Sequence, residues 1–212
     1  MIFGSELLII FKLRIFPILK ESLRIMYMRS NLNSFFLMFL LFCIPLAQAS
    51  EYQILISKKN NELIVKKAGE VVKKYRISSG KGGKGTKRRQ GDSKTPQGVY
   101  RISQFKKSSR FHYFIQLDYP NLIDAWYGYK NKVIDAKDFK RIATAYKKHT
   151  APPQDTKLGG FIGIHGLGEQ NEKKIVIHEE INWTEGCIAL TNEEINELRK
   201  FVDIGTPVII KE

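Results

Sequence analysis

The chain has 212 residues, 43% of them hydrophobic, enough for one domain with a sizeable core plus an extension. Its formal net charge is +14, and it holds two cysteines. One of these, Cys43, falls in a segment read below as removed, which excludes an intramolecular disulfide in the mature chain.

The first 49 residues differ from the rest. From Met28 they read as an export signal: Arg29 supplies a positive start, Phe35–Leu46 an apolar stretch, and Ala47-Gln48-Ala49 a small-residue cleavage site before Ser50. The apolar stretch, about a dozen residues, falls short of the roughly 20 that a membrane-spanning helix needs. This reading gives a leader over 1–49, with the start at Met28, and a mature domain over 50–212. It places the mature protein in the periplasm or cell envelope and ties it to the membrane only through the signal segment. With five Lys/Arg and two Asp/Glu set aside in 1–49, about +11 remains on the mature domain. So basic a domain suits nucleic acid in a cytoplasmic protein, but an exported one meets anionic envelope polymers instead, murein with its carboxylates among them.

Three runs, Tyr52–Ser57, Glu62–Lys67 and Val71–Ser79, are rich in Ile, Val, Leu and Tyr and are separated by turn-prone Lys59-Asn60-Asn61 and Ala68-Gly69. This predicts a β-meander whose inward positions include Ile54, Ile56, Leu63 and Val65. Gly80–Gly85 and the basic residues up to Asp92 lack nucleotide-loop spacing and read as a flexible basic loop beside a substrate groove. Val99–Gln104 and Phe111–Asp118 predict strands. Phe139, Ile142, Ala143 and Tyr146 recur at helical spacing and predict a helix over Asp138–Lys148, either a lid or a surface helix closing the core. Phe161–His165, Lys174–His178 and Cys187–Leu190 predict further strands. Thr191 with Glu194 forms a capping-box pattern opening a helix through Ile195, Leu198 and Val202, and Pro207–Ile210 supplies a last strand. The sum is a mainly β domain with two or so short helices.

Cys187 is the mature chain's lone thiol, and His165 ends an apolar strand upstream of it. A thiol and an imidazole form a minimal nucleophile-and-base pair, in which the base takes the proton and lowers the thiol pKa toward neutrality. Gly186 lets the backbone turn so that the amides of Gly186 and Cys187 form an oxyanion site. His178 is a second candidate histidine. A zinc site from His165, His178 and Cys187 follows no structural zinc spacing, so no metal is expected. Trp183 and Trp126 are candidates for stacking on sugar or peptide, or for core packing.

Ile164-His165-Gly166 and Thr184-Glu185-Gly186-Cys187-Ile188-Ala189-Leu190-Thr191-Asn192, with Gly91–Tyr100 and Pro152–Gly166, resemble the L,D-transpeptidase catalytic-domain family from Glu51 to the C-terminus. Two departures stand out: Glu185 replaces a second histidine, and Ala189 replaces an arginine. They point to a branch with an acidic residue before Gly-Cys. The resemblance implies a β-sandwich or mixed sheet and no cofactor. It makes Cys187 the nucleophile and His165 the base, with Gly166, Thr184, Glu185 and His178 orienting the base or binding substrate. It also implies attack on peptidoglycan stem peptides through a thioester, which gives 3→3 crosslinks or attaches an envelope lipoprotein. Alternatives are a murein-trimming carboxypeptidase or amidase with the same Cys and His, and a non-catalytic murein-binding protein. With the substrate-carboxylate arginine absent, a basic residue within Lys81–Arg89 is expected to take that duty.

Overall fold

The structure is a computed structural model describing residues 51–212; the leader reading of 1–49 concerns residues outside that range. Eight strands form a mixed sheet in the order β3-β2-β1-β8-β4-β5-β6-β7. β1 (Tyr52–Ser57), β2 (Glu62–Lys67) and β3 (Glu70–Arg76) are the predicted meander, with Ile54 paired to Val65 and Ile56 to Leu63. All four side chains are fully buried, as the alternation of apolar positions requires. β3 is an edge strand with Lys73 and Lys74 among its central residues, charges that discourage pairing with another chain.

β8 (Pro207–Lys211) lies parallel to β1 and antiparallel to β4 (Gly98–Ser108). β4 is longer than the sequence suggests because it serves two neighbours. Gly98–Arg101 pair with β8, and from Ile102 onward the strand pairs with β5 (His112–Leu117), with a register shift between Ile102 and Gln104. Such an irregularity bends a strand, so the sheet turns a corner here. β6 (Gly163–His165) runs antiparallel to β5, and β7 (Ile188–Ala189) runs parallel to β6. Bridges from Ser78 to Ala189 and from Gly80 to Thr184 join the segment after β3 to the β7 edge, nearly closing the sheet on itself. Ile54, Tyr100, Ile115, Ile164, Ile188 and Leu198 all belong to the core inside.

Among the described residues, four helices decorate the sheet. α1 (Leu122–Lys130) was not foreseen, although its start is written in the sequence: Asn121 and Asp124 form a reciprocal capping box. α2 (Ala136–Lys147) is the predicted amphipathic helix, opened two residues early by the Asp135 cap. It packs on α1 around a second small core of Ala125, Ile134, Ile142 and Leu158. α3 (Glu172–Glu180) corrects the strand expected at Lys174–His178. The apolar run Ile175-Val176-Ile177 reads as a strand. However, the Asn171 side chain caps the Lys174 amide, and Lys174 Nζ donates to the carbonyls of Leu167 and Glu169, so a helix nucleates where no strand edge is offered. α4 (Asn192–Leu198) carries the Thr191–Glu194 capping box as predicted.

Candidate active site

The parallel register of β6 and β7 builds the site. Ile164 pairs with Ile188, so Cys187 arrives level with Gly163 while His165 ends the neighbouring strand. Both side chains line a cavity of about 880 Å³, together with Phe111, Phe161, Trp183 and Glu185.

His165 is 2% exposed and sits in an aromatic box: the Phe111 ring is 4.3 Å away, Phe114 stacks at 6.4 Å, and Trp183 meets it edge-on at 6.1 Å. Its Nδ1 lies 2.8 Å from the Gly166 carbonyl oxygen. A carbonyl only accepts, so Nδ1 carries the proton in the neutral ring and Nε2 is left as the acceptor. Burial in the box lowers the imidazole pKa to about 4, outweighing the Gly166 hydrogen bond that favours the charged form.

The Cys187 thiol donates to the Phe161 carbonyl at 3.4 Å, and no hydrogen bond joins it to His165 among the described residues. Burial pushes the thiol up to about 11, against the Gly163 amide and the charges of Lys87 and Arg110, which pull it down. The resting pair is therefore neutral thiol and neutral imidazole. This corrects the expectation of a thiol lowered toward neutrality: desolvation penalises both charged forms, and the two side chains are not in hydrogen-bond contact.

Thr184 shapes the turn into Cys187. Its hydroxyl donates to the Cys187 carbonyl at 2.6 Å and accepts the Gly186 amide at 3.1 Å. The expected pair of oxyanion amides is thereby reduced: Gly186 N–H is already taken, and the Cys187 N–H is the amide still unengaged among the described residues. Gly186 itself has φ +128°, and a Cβ there would lie 2.8 Å from the Lys94 carbonyl oxygen, so only glycine fits. Gly166 is equally constrained, because a Cβ would come within 2.7 Å of Asn192 Oδ1. Asn192 accepts the Gly168 amide at 3.1 Å and donates to the Gly168 carbonyl at 2.7 Å, pinning the chain just after His165.

Glu185 is exposed at the cavity, 3.6 Å from Lys81. His178 is not brought to Cys187. It sits on α3, 2% exposed and away from the cavity lining, and burial lowers its pKa. Trp183 lines the cavity, whereas Trp126 lies outside it, half exposed under Lys130. The loop up to Asp92 does flank the cavity through Lys81 and Lys87, but it is tied down. Asp92 collects Lys87 Nζ and the amides of Arg88, Arg89 and Lys94. These hydrogen bonds hold its carboxyl below the usual range despite burial, which by itself would raise it. No residue of α2 lines the cavity, so the helix closes the second core and does not lie over the thiol.

Sequence reasoning missed Phe111 and Phe114 as the walls around His165, Phe161 as the thiol's partner, and Gln154. The Gln154 side chain accepts the Phe161 amide at 2.6 Å and donates to the carbonyls of Tyr119 and Pro152. Phe111 and Phe114 were legible as aromatic residues beside a strand. Phe161, with φ +52° and 63% exposed, bears no such signal.

Comparison with known families matches residues 51–210 to the L,D-transpeptidase catalytic domain, YkuD. The chain belongs to this family. It is 35% identical over 86 residues to the putative L,D-transpeptidase YafK of Escherichia coli K12, a match spanning 39% of this chain and 35% of that relative. Among solved structures it resembles the helical cell shape determining protein Pgp2 of Campylobacter jejuni, with a TM-score of 0.51 and 24% identity, covering 78% of this chain and 49% of that one. A mutant of the same protein aligns with a TM-score of 0.50 and 21% identity, over 78% and 48% of the two chains. The chain thus spans about half the length of these solved relatives.

Proposed function

We propose that this protein is an exported cysteine acyl-transfer enzyme of the cell envelope that works on peptidoglycan stem peptides. The observation that carries the reading is the shared cavity of Cys187 and His165, with Nδ1 locked on Gly166 and Nε2 free to accept a proton. In the cycle, Nε2 takes the Cys187 proton as sulfur attacks the carbonyl between the L- and D-centres of a tetrapeptide stem. The Cys187 amide donates to the developing oxyanion. Collapse expels D-alanine, whose nitrogen takes the proton back from His165, and leaves a thioester on sulfur. A stem amine resolves the thioester to a 3→3 crosslink, and a lipoprotein lysine resolves it to an anchored protein. Thr184 and Gly166 hold the nucleophile loop and the base in place, and Glu185 stands at the rim where the incoming amine approaches.

The test is incubation of the purified protein with murein, followed by muropeptide mass analysis and by intact-protein mass after carbapenem treatment. Expected are new muropeptide dimers, and a carbapenem adduct that disappears in Cys187→Ser. Unchanged muropeptides together with no adduct would refute the acyl-transfer reading. Loss of lipoprotein or amino-acid remnants without dimers would replace the transferase with a hydrolase using the same residues.

A further inference from the structure

The cavity walls carry a charge imbalance that the cycle above does not use. Lys81, Lys87, Lys106, Lys107 and Arg110 line the cavity, against a single carboxylate, Glu185. Two of the cations are occupied: Lys81 faces Glu185, and Lys87 is buried against Asp92 at 2.9 Å. Lys106, Lys107 and Arg110, from the end of β4 and the turn into β5, are exposed and have no acidic partner among the described residues. Arg110 is the best placed. Its guanidinium lies over the Phe111 ring at 4.9 Å, and that ring in turn packs against the His165 imidazole at 4.3 Å. Its charge acts on both reacting groups, lowering the pKa of His165 and of Cys187. Lys106 stands opposite Phe114, the second wall of the same box.

We propose that Arg110, assisted by Lys106, anchors a carboxylate of the stem peptide beside the scissile amide and so sets the register of the peptide over Cys187. A guanidinium backed by an aromatic ring presents a planar fork that fits a carboxylate in two-point fashion, which a lysine cannot reproduce. The assignment moves the substrate-carboxylate duty from the Lys81–Arg89 loop, whose cavity cations are already paired, to the β4–β5 turn. It rests on the peptide-substrate reading above.

The test pairs a free stem tetrapeptide with versions carboxamidated at each carboxylate in turn. Binding is measured by calorimetry in a Cys187→Ala background, and turnover in the otherwise unaltered protein. With Arg110 present, one carboxamide is expected to bind roughly tenfold to a hundredfold more weakly than the free peptide. Arg110→Gln should weaken the free peptide by a similar factor and abolish the discrimination, while Arg110→Lys keeps part of it. Lys106→Gln should give a smaller loss at the same position. Equal binding of every carboxamide to the unaltered cavity, or full discrimination retained in Arg110→Gln, would overturn the proposal. Arg110-dependent binding of peptides that are never turned over would leave the anchor standing and remove the acyl-transfer reading.

Discussion

At Cys187 a half-buried thiol rests on the Phe161 carbonyl, and in the proposed cycle its proton reaches His165 only when the side chain or the loop shifts. Because burial sets the thiol near 11 and the imidazole near 4, the free protein holds almost no thiolate–imidazolium pair. Alkylation of Cys187 by iodoacetamide is therefore expected to be slow at neutral pH and to climb through the alkaline range. A rate already flat at neutral pH would show a preformed ion pair and contradict the neutral resting state. Gly186 has neither room for a side chain nor a φ that one tolerates, so Gly186→Ala is expected to destabilise the fold by about 1–3 kcal/mol in urea titration. It should also suppress carbapenem acylation more than that loss explains, because the turn aims the sulfur. Cys187, His165 and the Thr184-Glu185-Gly186 approach were all legible in the sequence as a chemical vocabulary. The actual hydrogen-bond partners were not, since Gly166 O, Phe161 O and the Gly186-to-Thr184 contact are backbone relations that residue types do not encode.

Elements enter the site through their ends. α4 begins at the Thr191–Glu194 box and at once presents Asn192 to Gly168, coupling a helix N-terminus to the chain that follows the base. Asn192→Ala removes both hydrogen bonds and is expected to cost about 1–2 kcal/mol of stability. On the proposed reading a proportionally larger fall in kcat should accompany it, because the chain just after His165 loses its two tethers at Gly168. Equal kcat with reduced stability would assign Asn192 to folding alone. The elements themselves were read well where one signal dominated: alternation for β1 and β2, capping for α4, helical spacing for α2. They were misread where local composition opposed the cap. Ile175-Val176-Ile177 has strand composition, yet Asn171 starts a helix, and α1 hides behind aromatic residues although Asn121 and Asp124 announce it.

Over the whole domain, two buried titrating groups pull stability in opposite directions. Burial raises Asp124 to about 6, so the folded state gains a proton first as pH falls, and this contribution to stability grows on acidification and fades as pH rises through about 6. His165, lowered to about 4 from 6.5, does the reverse: the unfolded chain protonates first, and stability is lost as pH falls through that window. Between about 4 and 6 the two nearly cancel. Asp124→Asn removes the compensation, and its unfolding free energy is expected to fall on acidification more steeply than that of the unaltered protein, by up to about 1.4 kcal/mol per pH unit. Parallel pH profiles for the two proteins would disprove the balance. The family and the mainly β architecture were readable at this scale from separated motifs in one order. The corner in β4 and the near-closure of the sheet through Ser78 and Gly80 were not, because they depend on pairings between residues distant in the chain. The thiol resting on Phe161 has one more consequence. Peroxides and disulfides react with thiolates, and burial that pushes the thiol up to about 11 keeps it almost wholly protonated at neutral pH. On the proposed reading, a thiol stored in this form resists oxidation between turnovers and becomes vulnerable only while a bound peptide draws its proton toward His165.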